Sequence, residues 1–193
     1  MIAMKLHVEH NLTFGHFEQM EALEAACYSA EYIAPAHEAF SWYESHPHSV
    51  LAACEDGRVV GFVNLLPVRP TLFARICDGS FNDAGMTADD ILSLEECAKA
   101  PFELFLSCIA VDGKQRGTGL ARTLVATALA PYLSPAFACE FVVTDNVTED
   151  GERFSKRVGF KLVCDSDHGT KVYRHTVRDL AAKLNEAPVS RLG

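Results

Sequence analysis

The chain has 193 residues, of which 49% are apolar and 22% charged, with a net charge of −9. That length can bury the core of one globular domain, and the acidic balance argues against a nucleic-acid backbone as partner and for a cationic ligand. No run approaches the roughly eighteen apolar residues of a membrane span, and the opening "MIAMKLHVEHN" is not a signal peptide.

The seven cysteines are odd in number and form no C-x-x-C pair. They read as small core residues of a reducing cytoplasm. Histidines at metal spacing are missing, so no metal site is expected.

In chain order, "MKLHVEH" (4–10) alternates as a first strand. The stretch "TFGHFEQMEALEAACYSAEYI" then carries Phe14, Phe17, Met20, Leu23 and Cys27 at helical spacing behind Thr13 as N-cap. A second helix, "PAHEAFSWYESHP", lies between two prolines. Asp56-Gly57 between "SVLAACE" and "RVVGFVNLLPV" predicts a hairpin. Residues 67–101 interrupt the pattern with three prolines, the turn "DGSFNDAG", and a helix over "TADDILSLEECA" capped by Thr87. The apolar run "ELFLSCIAV" (103–111) suits a buried strand. After a glycine turn, Leu120, Leu124 and Ala128 repeat at helical spacing up to Pro131. "AFACEFVVTD" is the next strand, "GERFSKRVGF" a short helix closed by Gly159, and "FKLVC", "KVYRHTV" and "RDLAAKLNEA" give two strands and a tail helix. The strand–helix–strand from 103 to 144 has to be a parallel right-handed crossover. With the antiparallel hairpin it makes an α/β (α+β) fold with a mixed, mostly antiparallel sheet flanked by helices.

Gly117 and Gly119 fall where the strand turns into the helix, at free N–H groups and the positive end of the helix dipole. Such a turn binds anions. A P-loop is excluded because no Gly-Lys-Ser/Thr follows. A dinucleotide fingerprint is excluded because Arg122 holds its third position. A structural turn without ligand remains open on these residues alone.

The stretch "CIAVDGKQRGTGLARTLV" resembles the acetyl-CoA-binding motif of the GNAT superfamily of N-acetyltransferases, Arg/Gln-x-x-Gly-x-Gly/Ala after a strand ending in valine. "EFVVTDNVTEDGERFSKRVGF", with Gly159-Phe160, resembles the family's second motif. The resemblance spans about 103–164 closely and the earlier elements in order. It implies one cytoplasmic N-acetyltransferase domain over residues 1–193, with acetyl-CoA as cosubstrate. The pyrophosphate would meet the N–H groups of Arg116, Gly117, Thr118, Gly119 and Ala121. The pantetheine arm would pair with the strand at Ile109, Ala110 and Val111, and Asn146, or Thr148 nearer the family's usual position, would add a hydrogen bond. The acceptor would be an amine of a small molecule or peptide. The oligomeric state, a homodimer included, is left open, and a catalytically silent CoA-binding sensor is the alternative.

Attack by an amine needs a base. Glu103, the lone charge of "PFELFLSCIAV", stands at a spacing to Arg116 that resembles a catalytic glutamate of the family; a solvated strand end is the other reading. The tetrahedral oxyanion needs a donor, and a backbone N–H near Cys108 or Ile109 would serve. The family's tyrosine acid, four residues before the Gly-Phe, is here Ser155, whose hydroxyl is too weak an acid to replace it directly. Either Ser155 positions a water, or another group reprotonates the thiolate, with Tyr132, Tyr173 and Tyr43 as unranked candidates, or no acid is needed. The insertion at about 67–101 is expected over the acceptor side. Its acidic residues Asp78, Asp83, Asp89, Asp90, Glu95 and Glu96 would form a lip for a cation or merely a solvated helix face. Trp42 and Tyr43 lie where the family's acceptor pocket tends to form, or simply pack in the core.

Overall fold

The computed structural model describes residues 6–82 and 85–186, so Asp83, Met4 and Lys5 of the expected first strand, and Ala187 of the expected tail helix lie outside the described residues. Seven strands form one sheet in the order β1-β2-β3-β4-β5-β7-β6. They are β1 (His7–Glu9), β2 (Val50–Glu55), β3 (Arg58–Val68), β4 (Phe102–Val111), β5 (Cys139–Asn146), β6 (Lys161–Asp165) and β7 (Lys171–Thr176). The β2–β3 hairpin turns on Asp56 and Gly57, both at positive φ (52° and 77°), as the right-handed twist of a two-residue hairpin demands. Every pairing is antiparallel except β4 with β5.

One face of the sheet is covered by α5 (Leu120–Leu129) and α7 (Val177–Asn185), whose Leu120, Leu124, Leu129 and Leu180 pack on Val63, Leu65, Leu104 and Val142. The approach is close. A Cβ on Gly61 of β3 would sit 3.1 Å from Leu120 Cδ2 and 3.3 Å from Leu124 Cδ1. α6 (Glu149–Val158) is closed by Gly159 at φ 95°, the left-handed cap its sequence predicts.

The other face is covered in two parts. Over β1–β3 lie α1 (Phe14–Glu24) and α2 (Ala36–Ser45), with Phe17 and Met20 buried on Val50, Ala52 and Phe62. Over β4, β5 and β7 lies the 67–101 segment. It contains α3 (Pro70–Cys77), a helix the sequence did not announce. Its Leu72 and Ile76, with Phe81 and Ile91, pack on Phe105, Val143 and Val172. The helix expected after Thr87 is divided. A single 3-10 turn, Ala88–Asp90, runs into an isolated bridge from Ile91 to Val68, and α4 (Leu94–Lys99) begins again behind Ser93. Two successive capping boxes, Thr87 with Asp90 and Ser93 with Glu96, are compatible only with two starts. α1 likewise stops at Glu24, short of the expected stretch, and the chain re-forms only a 3-10 turn at Ala30–Tyr32.

His46 ties the segment to the rest of the fold. It is fully buried, its Nδ1–H donating to the Leu92 carbonyl at 2.7 Å and its Nε2 accepting from the Tyr132 hydroxyl at 3.0 Å. Burial pushes its pKa down to about 4, so the ring is neutral. All seven cysteines are free thiols. Among the described residues no helix is long and apolar enough to cross a membrane, and no cluster of three or more His, Cys, Asp or Glu side chains is placed to hold a metal ion.

Candidate active site

The site begins with a parting of strands. β4 and β5 pair from Phe102↔Cys139 through Phe105↔Val143, and then each goes its own way. The rest of β4 stays with β3 and the rest of β5 with β7. The Asp112 N–H donates to the Val60 carbonyl at 2.8 Å. By the alternation of an antiparallel ladder, the polar groups of Ala110 and Cys108 then face β3, and those of Ile109 and Val111 face the opening. Of the three strand residues expected to meet a pantetheine arm, two are at the open edge and Ala110 is not.

A bulge sits at the same place. Asn64 pairs with Cys108 and Leu65 with Leu106, so Ser107 is an extra residue in β4. The bulge puts Ser107 and Cys108 together on the α1–α2 side, where both line a cavity of about 230 Å³. Glu24 reaches the same cavity from the last turn of α1. It continues the buried stripe of Phe17 and Met20 and is 5% exposed. Desolvation raises its pKa to about 7, against the pull of the Cys108 thiol and the Ala34 N–H. One turn further on, Tyr28 donates its hydroxyl to the Ile109 carbonyl at 2.7 Å, on the open edge. Burial holds the Tyr28 phenol and the Cys108 thiol, which hydrogen-bond each other, well above their ordinary values.

On the other side of the opening stands the glycine turn. Gly117 and Gly119 have φ of 79° and 88°, and a Cβ on either would meet nothing within 4 Å. The backbone conformation calls for glycine, and the space in front of it is open. Gly119 is the N-cap of α5, so the N–H groups of its first turn, Ala121 among them, have no partner within the helix. Thr118 turns its hydroxyl back to the Gln115 carbonyl at 2.7 Å. Arg116 reaches Asp150 at the start of α6, at 3.5 Å. At the end of β5, Asn146 Oδ1 accepts from the buried Ser155 hydroxyl at 3.1 Å, leaving Asn146 Nδ2 buried without a partner. That donor faces the need of an amide carbonyl. Thr148 is engaged as the α6 N-cap, accepting from Gly151 N–H at 3.1 Å.

The profile of the acetyltransferase (GNAT) family matches residues 17–160. The chain belongs to the GNAT acetyltransferase family. No curated relative matches the sequence. Solved structures of the same fold include an N-acetyltransferase from Staphylococcus aureus Mu50, 15% identical over 90% of this chain and 99% of that one, with a TM-score of 0.57. The PaiA N-acetyltransferase from Thermoplasma acidophilum, in complex with coenzyme A, is 14% identical over 90% and 99%, with a TM-score of 0.56. The GphF GNAT-like decarboxylase, in complex with isobutyryl-CoA, is 16% identical over 90% and 100%, with a TM-score of 0.63.

In this GNAT domain two expected positions are separated from the cavity. Glu103 lies at the closed end of β4, five residues before Cys108 and so about 16 Å along the strand. Its half-buried carboxylate accepts from the Phe141 N–H at 2.5 Å, and desolvation raises its pKa. It serves there as a local partner of β5. Tyr43 is not in the cavity wall, whereas Trp42 is. The tyrosines considered as acids are all engaged elsewhere: Tyr132 with His46, Tyr173 with Glu152 at 2.8 Å, Tyr43 with the His10 carbonyl at 3.0 Å.

Four of the acidic residues of 67–101 are occupied as well. Asp78 accepts from Ser80 N–H, Asp90 and Glu96 cap their helices, and Glu95 pairs with Lys99. Among the described residues of that segment, only Met86 lines the cavity. Glu24, Tyr28 and Asn64 are the site residues that sequence reasoning missed. For Glu24 a signal existed: it stands at i+7 from Phe17 and i+4 from Met20, a carboxylate on the apolar stripe of α1.

Proposed function

We propose that this protein is an acetyl-CoA-dependent N-acetyltransferase that acylates a primary amine held in the cavity against Glu24. The observation that carries the reading is that a buried carboxyl with a pKa of about 7 lines a cavity at the bulge of β4, just beyond the point where β5 leaves that strand and on the way to the glycine turn. Acetyl-CoA fits that gap by its chemistry. Its pyrophosphate suits the N–H groups of Gly117, Gly119 and Ala121, that of Thr118 being turned to the Gln115 carbonyl at 3.4 Å, and its amides suit the edge of Ile109 and Val111 and the free Nδ2 of Asn146. The proposed domain is the whole chain, with the 67–101 segment as the wall behind the acceptor cavity.

Transfer then needs little from the protein, because the thioester is already activated. Glu24 takes one proton from the ammonium, and the free amine attacks the thioester carbon. The Ile109 N–H, on the open edge, is the donor for the oxyanion. The C–N bond forms, the C–S bond breaks, and the second amine proton passes to the departing thiolate through Tyr28. The products are the acetamide and free coenzyme A, and Glu24 returns its proton to solvent. A carboxyl with a pKa near 7 is matched to this task at neutral pH.

Calorimetry with acetyl-CoA and detection of free thiol against a panel of amines test the reading. Gly119→Asp, which sets a side chain and a negative charge in the open turn, should weaken acetyl-CoA binding at least tenfold, about 1.4 kcal/mol. Unchanged affinity in a folded variant removes the turn from the site. Tight binding of acetyl-CoA with no amine acetylated would instead make the domain a CoA sensor.

A further inference from the structure

The floor of the cavity is built of hydrogen-bond acceptors. Asn64 is 3% exposed, lines the cavity, and has an Oδ1 without a partner in the described structure. A buried acceptor left without a donor is destabilising, so the position calls for a donor brought from outside. Glu24 lines the same cavity. A floor of two acceptors takes an ammonium or amine nitrogen and disfavours a group without donors or with negative charge.

The mouth repeats the preference. Glu31, from the Ala30–Tyr32 turn, and Glu38, from the first turn of α2, both line the cavity and both are exposed. Among the described residues neither is in an ion pair, whereas Glu95 and Glu96 of the 67–101 segment are paired with Lys99 and Arg69. Among the described residues no lysine or arginine lines the cavity, and Trp42, Ile33 and Met86 supply apolar wall. At about 230 Å³ the space is below the ~300–1,000 Å³ of drug-sized sites, which suits a short, thin ligand.

We infer that the acceptor is a short aliphatic diamine, with one nitrogen at Asn64 and Glu24 and the second cation at Glu31 and Glu38. This inference rests on the N-acetyltransferase reading and adds the substrate class to it. The inner nitrogen becomes the acetamide and the outer one stays an ammonium throughout. The product has lost one of its two charges, so its remaining amine, entering in reverse, would carry a neutral amide to the acidic mouth. The enzyme therefore stops at one acetyl group.

The test compares 1,4-diaminobutane, n-butylamine and N-acetyl-1,4-diaminobutane with acetyl-CoA, following free thiol. The expected result is a kcat/KM for the diamine at least about tenfold above both others, with the ratio falling as ionic strength rises. In the Glu31→Gln/Glu38→Gln double variant, checked for folding by acetyl-CoA calorimetry, the ratio should fall close to one. Equal kcat/KM for diamine and monoamine in the wild type overturns the diamine inference and leaves the N-acetyltransferase reading standing. Thiol release with none of the amines overturns both.

Discussion

Glu24 and His46 are both buried and both titratable, and they are held in opposite ways. His46 has a partner on each ring nitrogen, the Leu92 carbonyl and the Tyr132 hydroxyl, and closes the 67–101 segment onto the sheet. Glu24 faces a cavity, with a thiol and a backbone N–H as its aids against desolvation. Asn64 Oδ1, in the same cavity lining, has no partner among the described residues. A buried polar group with its full complement is a structural joint, and one left short beside a cavity is waiting for a ligand. In both cases burial favours the neutral form, which lowers the histidine pKa and raises the carboxyl pKa.

The largest effect expected from this contrast is on catalysis. Glu24→Gln keeps the shape and removes the base, so kcat should fall by roughly 10²–10⁴-fold while acetyl-CoA affinity stays. The acid limb of the wild-type rate profile, with its apparent pKa near 7, should vanish in the variant. A variant that keeps both the rate and the acid limb makes Glu24 a bystander.

His46→Leu should do the reverse. It strands the Leu92 carbonyl and the Tyr132 hydroxyl in the core, and urea unfolding should show a loss of roughly 2–4 kcal/mol. Turnover per folded molecule should be unaffected at low temperature. A drop in kcat at full stability would place His46 in the chemistry and dissolve the distinction drawn here.

Tyr28→Phe addresses the leaving group. If the phenol hands its proton to the thiolate, kcat should fall about tenfold and KM for the amine should hardly move, since sulfur is already a fair leaving group. An unchanged kcat reduces Tyr28 to a partner of the Ile109 carbonyl.

Much of this was legible beforehand. Asp56-Gly57, the crossover from β4 to β5, and the Gly159 cap are local signals, and local geometry decided each of them. α3 was not legible, because "PTLFARIC" is short and its helical stripe acquires meaning only against Phe105 and Val143. Glu103 drew attention as a lone charge on an apolar strand. Which end of that strand is open depends on where β5 leaves it, and no periodicity encodes that. Asn64 is still further from sequence. It stands opposite a bulge on the facing strand, about forty residues away, a register that no local pattern encodes.

The finest test of the contrast is the pH dependence of stability. His46 has a folded pKa of about 4 against 6.5 in the unfolded chain. Between those values the unfolded state binds the extra proton. His46 thus contributes stability above pH 6.5 that is lost as pH falls through 4, about 3 kcal/mol in all. Glu24 has a folded pKa of about 7 against 4.5. Here the folded state binds the extra proton, so its contribution is complete below pH 4.5 and lost as pH rises through 7, again about 3 kcal/mol. The two slopes oppose each other over almost the same window. Their sum should be flat to within about 1 kcal/mol from pH 4.5 to 6.5. His175, shifted down, and Glu103, shifted up, add slopes of either sign that are common to wild type and variants. The differences between proteins are therefore the cleaner quantity. Relative to wild type, Glu24→Gln should gain stability steadily as pH rises from 4.5 to 7, and His46→Leu should lose less as pH falls from 6.5 to 4. Urea midpoints at half-unit pH steps would resolve both. Parallel curves for wild type and Glu24→Gln would mean that the carboxyl is not desolvated in the folded protein, and with it would go the base poised at neutral pH.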